Sequence, residues 1–178
     1  MASLKLRDAK PADARELAEI HVAAWRAAYR GLMPDEYLAS LSVEKRTAMW
    51  ETIIARPGPA KLALADLDGE IAGFCLFGPT RDDAPGDIAE IYSVNVRPDR
   101  WRQGAGRLLC EQVFREAAAR EHTAMTLWVL RENERARRFY ERLGYAADGA
   151  EKTDTALIGS PLHDVRYRKA IDLRKLTG

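Results

Sequence analysis

Cysteine is nearly absent from this 178-residue chain, which has only Cys75 and Cys110. They form no Cys-x-x-Cys pair and no zinc-spaced cluster. That excludes a disulfide-stapled module and leaves two thiols of a reducing compartment as the expectation. Histidine is scarce too. His21, His122 and His163 lack metal-ligand spacing, so no metal site is expected. Net charge is almost missing: 28 Lys+Arg stand against 27 Asp+Glu, leaving +1. A protein that coats a polyanion is normally strongly basic, so a nucleic-acid partner is disfavoured. No apolar run approaches the ~20 residues that span a bilayer. The first residues lack the apolar stretch of a signal peptide. A cytoplasmic protein without a membrane partner is expected.

What remains is ordinary for a globular chain: 47% hydrophobic and 31% charged residues. The length fits a single domain over residues 1–178 with a core of useful size. Residues 4–7 read as a strand. Pro11 and Asp13 open a helix with Leu17, Ile20, Ala24 and Ala27 at helical spacing. A second helical region spans about residues 35–55 and stops at Arg56-Pro57-Gly58-Pro59. Residues 61–66 and 71–77 read as a hairpin around Asp68-Gly69. A polar loop over 78–87 leads to a strand over 88–96. A helix follows over about 104–121, a strand over 124–130, and a helix over 133–143 stopped by Gly144. Two strands around Gly159-Ser160-Pro161 complete the chain. The order β-α-α-β-β-β-α-β-α-β-β predicts a mixed α/β fold with a largely antiparallel sheet.

One segment stands out: Val94-Asn95-Val96-Arg97-Pro98-Asp99-Arg100-Trp101-Arg102-Gln103-Gly104-Ala105-Gly106-Arg107. A strand ends, a turn rich in Gly and Arg follows, and a helix begins. Free N–H groups and the positive end of the helix dipole make such a turn a cradle for pyrophosphate. It is not a P-loop, because Gly106 is followed by Arg107-Leu108 instead of Lys-Ser/Thr. It is not a Rossmann fingerprint, because Leu109 stands where a third glycine belongs. A second segment, Asn133 to Tyr145, puts Asn133 and Tyr140 two turns apart on one helix face, with the small Ala136 between them. Asn133 also fits a plain helix cap, and Tyr140 a packing residue.

Together the segments resemble the GNAT superfamily of acetyl-CoA-dependent N-acetyltransferases. Its motif A, Gln/Arg-x-x-Gly-x-Gly/Ala after Val-x-Pro, is matched by Val96-Arg97-Pro98 and by Gln103-Gly104-Ala105-Gly106. Its motif B is similar to Asn133-x-x-Ala136-x-x-Phe139-Tyr140-x-x-Leu143-Gly144-Tyr145. The layout agrees over the whole chain and the specific motifs over residues 90–145. One position departs: the first Gln/Arg of motif A falls on Trp101, between two arginines. The resemblance implies an α+β fold with a mostly antiparallel sheet splayed between its fourth and fifth strands and flanked by about four helices. It implies acetyl-CoA as co-substrate. Val94, Asn95 and Val96 would offer backbone groups to the pantetheine arm. Arg102, Gln103, Gly104, Ala105, Gly106 and Arg107 would hold the pyrophosphate. Asn133 would bond the pantetheine, and Tyr140 would stand beside the sulfur.

In the implied reaction an amine attacks the thioester and a thiolate leaves. A thiol titrates near ~8.5 and a tyrosine near ~10, so Tyr140 is a protonated donor for that thiolate. Freeing a lysine-like amine of its proton at pH 7 costs roughly 4.6 kcal/mol, which favours a general base. Glu90, on the strand leading to the cradle, is the candidate, acting directly or through water; an ordinary ion pair with a surface arginine is the alternative. A strand N–H would stabilise the oxyanion. Trp25 and Tyr29, with Tyr37 nearby, are candidates for the acceptor wall, though their spacing also fits core. His163 and Asp164 on the last strand could face the same cleft, but read more as a surface pair. The acceptor is a small-molecule amine, with a protein α- or ε-amine as the second reading. A non-catalytic acyl-CoA-binding domain is the third. Oligomeric state is left open, a homodimer included.

The small net charge is uneven. Residues 1–96 hold 11 basic and 15 acidic side chains, whereas residues 97–142 hold 11 arginines and 7 acidic side chains. The basic block coincides with both motifs, as an anionic coenzyme requires.

Overall fold

A computed structural model describes residues 4–56 and 58–172. Pro57 of the expected helix stop and the first three residues lie outside them. Strand β1 (Leu4–Asp8) leads through a 3-10 turn at Pro11–Asp13 into α1 (Ala14–Ala28). The region expected as one helix is two, α2 (Asp35–Ser40) and α3 (Val43–Ala55). Leu41 and Ser42 between them are extended, and the Ser42 hydroxyl accepts from the Lys45 N–H to cap α3. The described residues therefore hold five α-helices, in keeping with the expected set of about four.

Strands β2 (Lys61–Leu67), β3 (Glu70–Pro79) and β4 (Ile88–Val96) form an antiparallel meander. The third runs past the predicted end, because Gly78 and Pro79 still pair with Glu90 and Ala89. Helix α4 (Ala105–Ala119), β5 (Ala124–Leu130) and α5 (Glu134–Arg142) follow, then the hairpin of β6 (Ala146–Asp154) and β7 (Leu162–Ala170). The seven strands lie in the order β1-β2-β3-β4-β5-β7-β6. Every neighbouring pair is antiparallel except β4 and β5.

The two sheet faces are covered by different helices. On one, Leu109, Val113 and Ala117 of α4 pack with Ala89, Ile91, Met125 and Leu127, and α5 adds Phe139 and Tyr140 at the margin. On the other, Leu17 and Ile20 of α1 and Trp50 of α3 pack with Leu64, Ile71 and Phe74. Each fully buried Leu, Ile, Val, Phe or Met among them contributes about 1.5–3 kcal/mol.

The fourth strand sets the geometry that matters. Its parallel pairing with β5 covers only residues 88–91 and 124–127. The pairing with β3 slips at the same level: Phe77 faces Ile91 and Leu76 faces Ser93, leaving Tyr92 as a bulge. The bulge shifts the side-chain phase. Ala89 and Ile91 face α4 before it, and Val94 and Val96 face that side after it. A bulge bends its strand and increases the twist. Beyond Ile91, β4 and β5 part into a V, as the family resemblance implied.

Candidate active site

The V opens onto the turn between β4 and α4. Its residues 102 and 104 have positive φ, 65° at Arg102 and 91° at Gly104. Left-handed residues on either side of Gln103 turn successive N–H groups toward one side, a backbone nest for an anion. Gly104 is the N-cap of α4 and supplies no side-chain acceptor, and the first turn has no acidic residue. Helix starts usually gain both, so the donors here are left for something else. The next residues show why Gly106 is small. A Cβ there would meet the Phe139 ring at 3.3 Å, so the glycine lets α4 approach α5. Arg107 contributes backbone to this turn, but its guanidinium is taken up by Glu111 one turn on. Gln103 donates to the Asp99 carbonyl.

Along the V, the half-buried side chains of Val94 and Val96 pack against the α4 core, which leaves their backbone for the gap. Asn95 points to the opposite face, 5% exposed, and its side-chain Nδ2 has no partner among the described residues. Asn133 is the cap of α5: its Oδ1 accepts from the Ala136 N–H at 3.1 Å. That leaves its NH2 as the group a ligand could use.

Tyr140 makes no hydrogen bond among the described residues, and its ring packs edge-on against Phe139 and Tyr145. Burial above all, then the nearby Cys110, Cys75, Tyr29 and Tyr145, pushes its hydroxyl well above the usual tyrosine range. It is protonated at neutral pH. Tyr29 caps α1 on one face of the sheet, and Tyr140 lies on α5 on the other.

Tyr29 itself is pushed up to about 12, by burial and then by Asp164. It packs with Trp25 in a T-shaped pair and joins Leu130 and Leu162 in a third apolar cluster. Asp164 lies directly across from Leu130 and shares a strand face with Leu162. Burial raises its carboxyl above the usual range against the pull of Lys152. The expected surface pair of His163 and Asp164 is therefore split by strand alternation. His163 is exposed and meets Thr153, whereas Asp164 faces the aromatic wall.

Glu90 faces the α1 side, opposite in parity to Ala89 and Ile91, and is 0% exposed. Arg81 occupies both of its oxygens. The Arg81 backbone N–H donates to Oε2 at 2.8 Å, and its guanidinium donates to Oε1. The guanidinium also lies over the Tyr92 ring, 4.4 Å from its centre. Among the described residues, no group of His, Cys, Asp and Glu could hold a metal ion, and no helix is long and apolar enough to cross a membrane.

The model of the Acetyltransferase (GNAT) family matches residues 14–145. The chain belongs to the GNAT acetyltransferase family. It is 31% identical over 128 residues to the uncharacterized N-acetyltransferase YuaI of Bacillus subtilis, covering 72% of each chain. It is 28% identical to a probable N-acetyltransferase, Rv2775, of Mycobacterium tuberculosis over 169 residues, 94% of each. Its fold is that of the PaiA N-acetyltransferase of Thermoplasma acidophilum, solved in complex with coenzyme A. The TM-score is 0.78 at 20% identity, over 95% of this chain and 99% of that one. As a GNAT member the chain is an acyltransferase.

Within the GNAT frame, the departure at Trp101 has a clear structure. Its indole N–H donates to the Val96 carbonyl at 2.9 Å, and the Arg135 guanidinium lies 3.6 Å from the ring centre. Arg81 was not readable as a site residue, and Asp164 was readable only as the less favoured alternative to a surface pair with His163. Arg81 sits in a loop and reaches Glu90 only through the β3–β4 register. Asp164 becomes visible as a cleft residue once β7 is known to lie beside β5.

Proposed function

We propose that this GNAT protein transfers the acetyl group of acetyl-CoA to a primary amine, by direct attack in a ternary complex, with a small-molecule amine as acceptor. The observation that carries this reading is the uncapped, acid-free start of α4, which lies at the end of a strand edge released by the V. That edge and that nest offer backbone donors to an extended arm and a pyrophosphate in turn. Asn133 would add its NH2.

In this reading the amine nitrogen bonds to the thioester carbonyl carbon, a β4 N–H receives the oxyanion, and the C–S bond breaks. Tyr140 donates a hydrogen bond to the sulfur as charge grows there. Its raised affinity for the proton makes it a reluctant acid, so proton transfer completes after the bond breaks. The amine proton passes to Glu90, directly or through water, on the face where Trp25 and Tyr29 form the acceptor wall. Arg81 must then release at least one Glu90 oxygen. Its own side chain is 57% exposed, which leaves it room to swing out. An acetyl-cysteine route is opposed by the thiols. Burial pushes Cys110 up to about 12 and Cys75 well above the usual range, so neither is a ready nucleophile.

Acetyl-CoA at about 100 times its Kd should stabilise the fold by roughly 2.7 kcal/mol. The same protein should release free thiol when small primary amines are added. A folded protein with no thermal shift at saturating acetyl-CoA would overturn the coenzyme assignment. A shift without thiol release from any amine, small or peptidic, would make the chain a binding domain.

A further inference from the structure

The arginines around the α4 turn are not equivalent. Arg97 is paired with Asp99, Arg100 with Glu70, and Arg107 with Glu111. Arg102 and Arg135 have no carboxylate partner among the described residues. They come from different elements, the turn and the first residues of α5, and Trp101 brings them together: Arg102 follows it in the chain, and the Arg135 guanidinium lies on its ring, 3.6 Å from the centre. Desolvation, with the charge of Arg102 added to it, makes Arg135 harder to keep protonated. Two like charges held together without a counterion describe a place for an anion.

The position is also built. Trp101 is tied to the last residue of β4 by its indole N–H, and Arg135 lies flat on its face. A stacked guanidinium keeps its in-plane N–H donors free for a planar or tetrahedral anion while losing little rotamer freedom. This is the position where the sequence departs from the family pattern.

We propose that Arg102 and Arg135, on the Trp101 platform, form a phosphomonoester subsite that takes the ribose 3′-phosphate of the coenzyme. The inference rests on the coenzyme reading above. The charge match favours this phosphate over the pyrophosphate. A phosphomonoester carries close to two negative charges at neutral pH and suits two guanidiniums. The pyrophosphate already has the backbone donors of the nest. The subsite selects CoA over 3′-dephospho-CoA.

Calorimetric titration with CoA and with 3′-dephospho-CoA tests this on the wild type, Arg135→Gln and Trp101→Leu. The wild type should bind CoA at least about tenfold more tightly than dephospho-CoA, the scale of charge-assisted bonds to phosphate. In R135Q the preference should fall to about twofold or less while dephospho-CoA affinity changes little. W101L should fall in between. Arg135 is exposed overall and its stack on Trp101 is the contact that R135Q removes, so the variant should stay folded with a Tm within a few degrees of the wild type. An equal loss for both ligands would show that Arg135 grips the pyrophosphate and would overturn the proposal. So would a wild type that does not distinguish the two ligands. A folded wild type that binds neither would instead overturn the coenzyme reading itself.

Discussion

Tyr140 holds nothing in place through its hydroxyl, so replacing it with Phe removes only a proton donor. Tyr140→Phe should lower kcat by about 100-fold or more, the lower end of general-acid effects. Acetyl-CoA affinity and Tm should stay close to wild type, and an unchanged kcat would remove Tyr140 from the chemistry. Glu90 differs, because both its oxygens anchor Arg81 and through it the β3–β4 loop. Glu90→Gln should lower Tm and also flatten the acid limb of the pH–rate profile. A lower Tm with an unchanged profile would reduce Glu90 to an anchor. The contrast marks what spacing can reveal. Spacing places Tyr140 on the face of Asn133, seven residues apart along α5. Arg81 was not legible, because no local period links a loop residue to a carboxylate nine positions on. Asp164 was misread with its neighbour His163 because adjacency in sequence means opposite faces in a strand.

At the scale of elements, the turn before α4 is the most specific piece of backbone. Gly104 has open space around its missing Cβ and φ of 91°, so an alanine there meets no neighbour. Its cost is conformational, about 1–2 kcal/mol for a left-handed non-glycine residue. Gly104→Ala should therefore lower urea-unfolding stability by about that amount, and weaken acetyl-CoA binding by reshaping the nest. Stability loss with intact binding would mean that the backbone here tolerates a different turn. Most elements were legible from periodicity and from Gly and Pro punctuation. The break at Leu41 and Ser42 was not, because Ser42 is a cap only if the chain turns there. The V is also invisible to hydrophobic patterning. It depends on a one-residue slip at Tyr92, and apolar residues stand on both sides of that slip.

At the scale of the molecule, the basic block shrinks on folding. Many of its arginines are spent on neighbours one turn away, as in Arg107–Glu111, Arg120–Glu116 and Arg138–Glu134. Exposed pairs of this kind add little stability, about 0.3–0.5 kcal/mol each. They leave Arg102 and Arg135 as the arginines beside the α4 turn without a carboxylate partner among the described residues. The other half of the molecule carries a pH liability. His21, between α1 and the sheet, has ring contacts with Trp25, Trp50 and Phe74, and neither ring nitrogen has a partner among the described residues. Burial, then the charge of Arg46, lowers its pKa from 6.5 to about 4. The unfolded chain therefore binds this proton first. Stability is full above pH 6.5 and falls toward pH 4, by up to about 3 kcal/mol. Urea midpoints measured from pH 7 to pH 4.5 should show this slope, and His21→Phe should flatten it. An equal slope in both proteins would assign the acid loss to other groups.

The short ladder between β4 and β5 also makes a seam. The ladder that joins one half of the sheet to the other is limited in β4 to Ile88, Ala89, Glu90 and Ile91, and past them the backbone amides on that edge have no strand to lock them. Local opening can start there at low free energy. Amide protons of residues 92–96 on that edge should exchange with solvent well ahead of those in β2 and β3. A molecule lying in the V and bonded to that edge would slow them, acting as a stitch across the seam. Bound substrate would then set how far the two halves of the sheet move as one body.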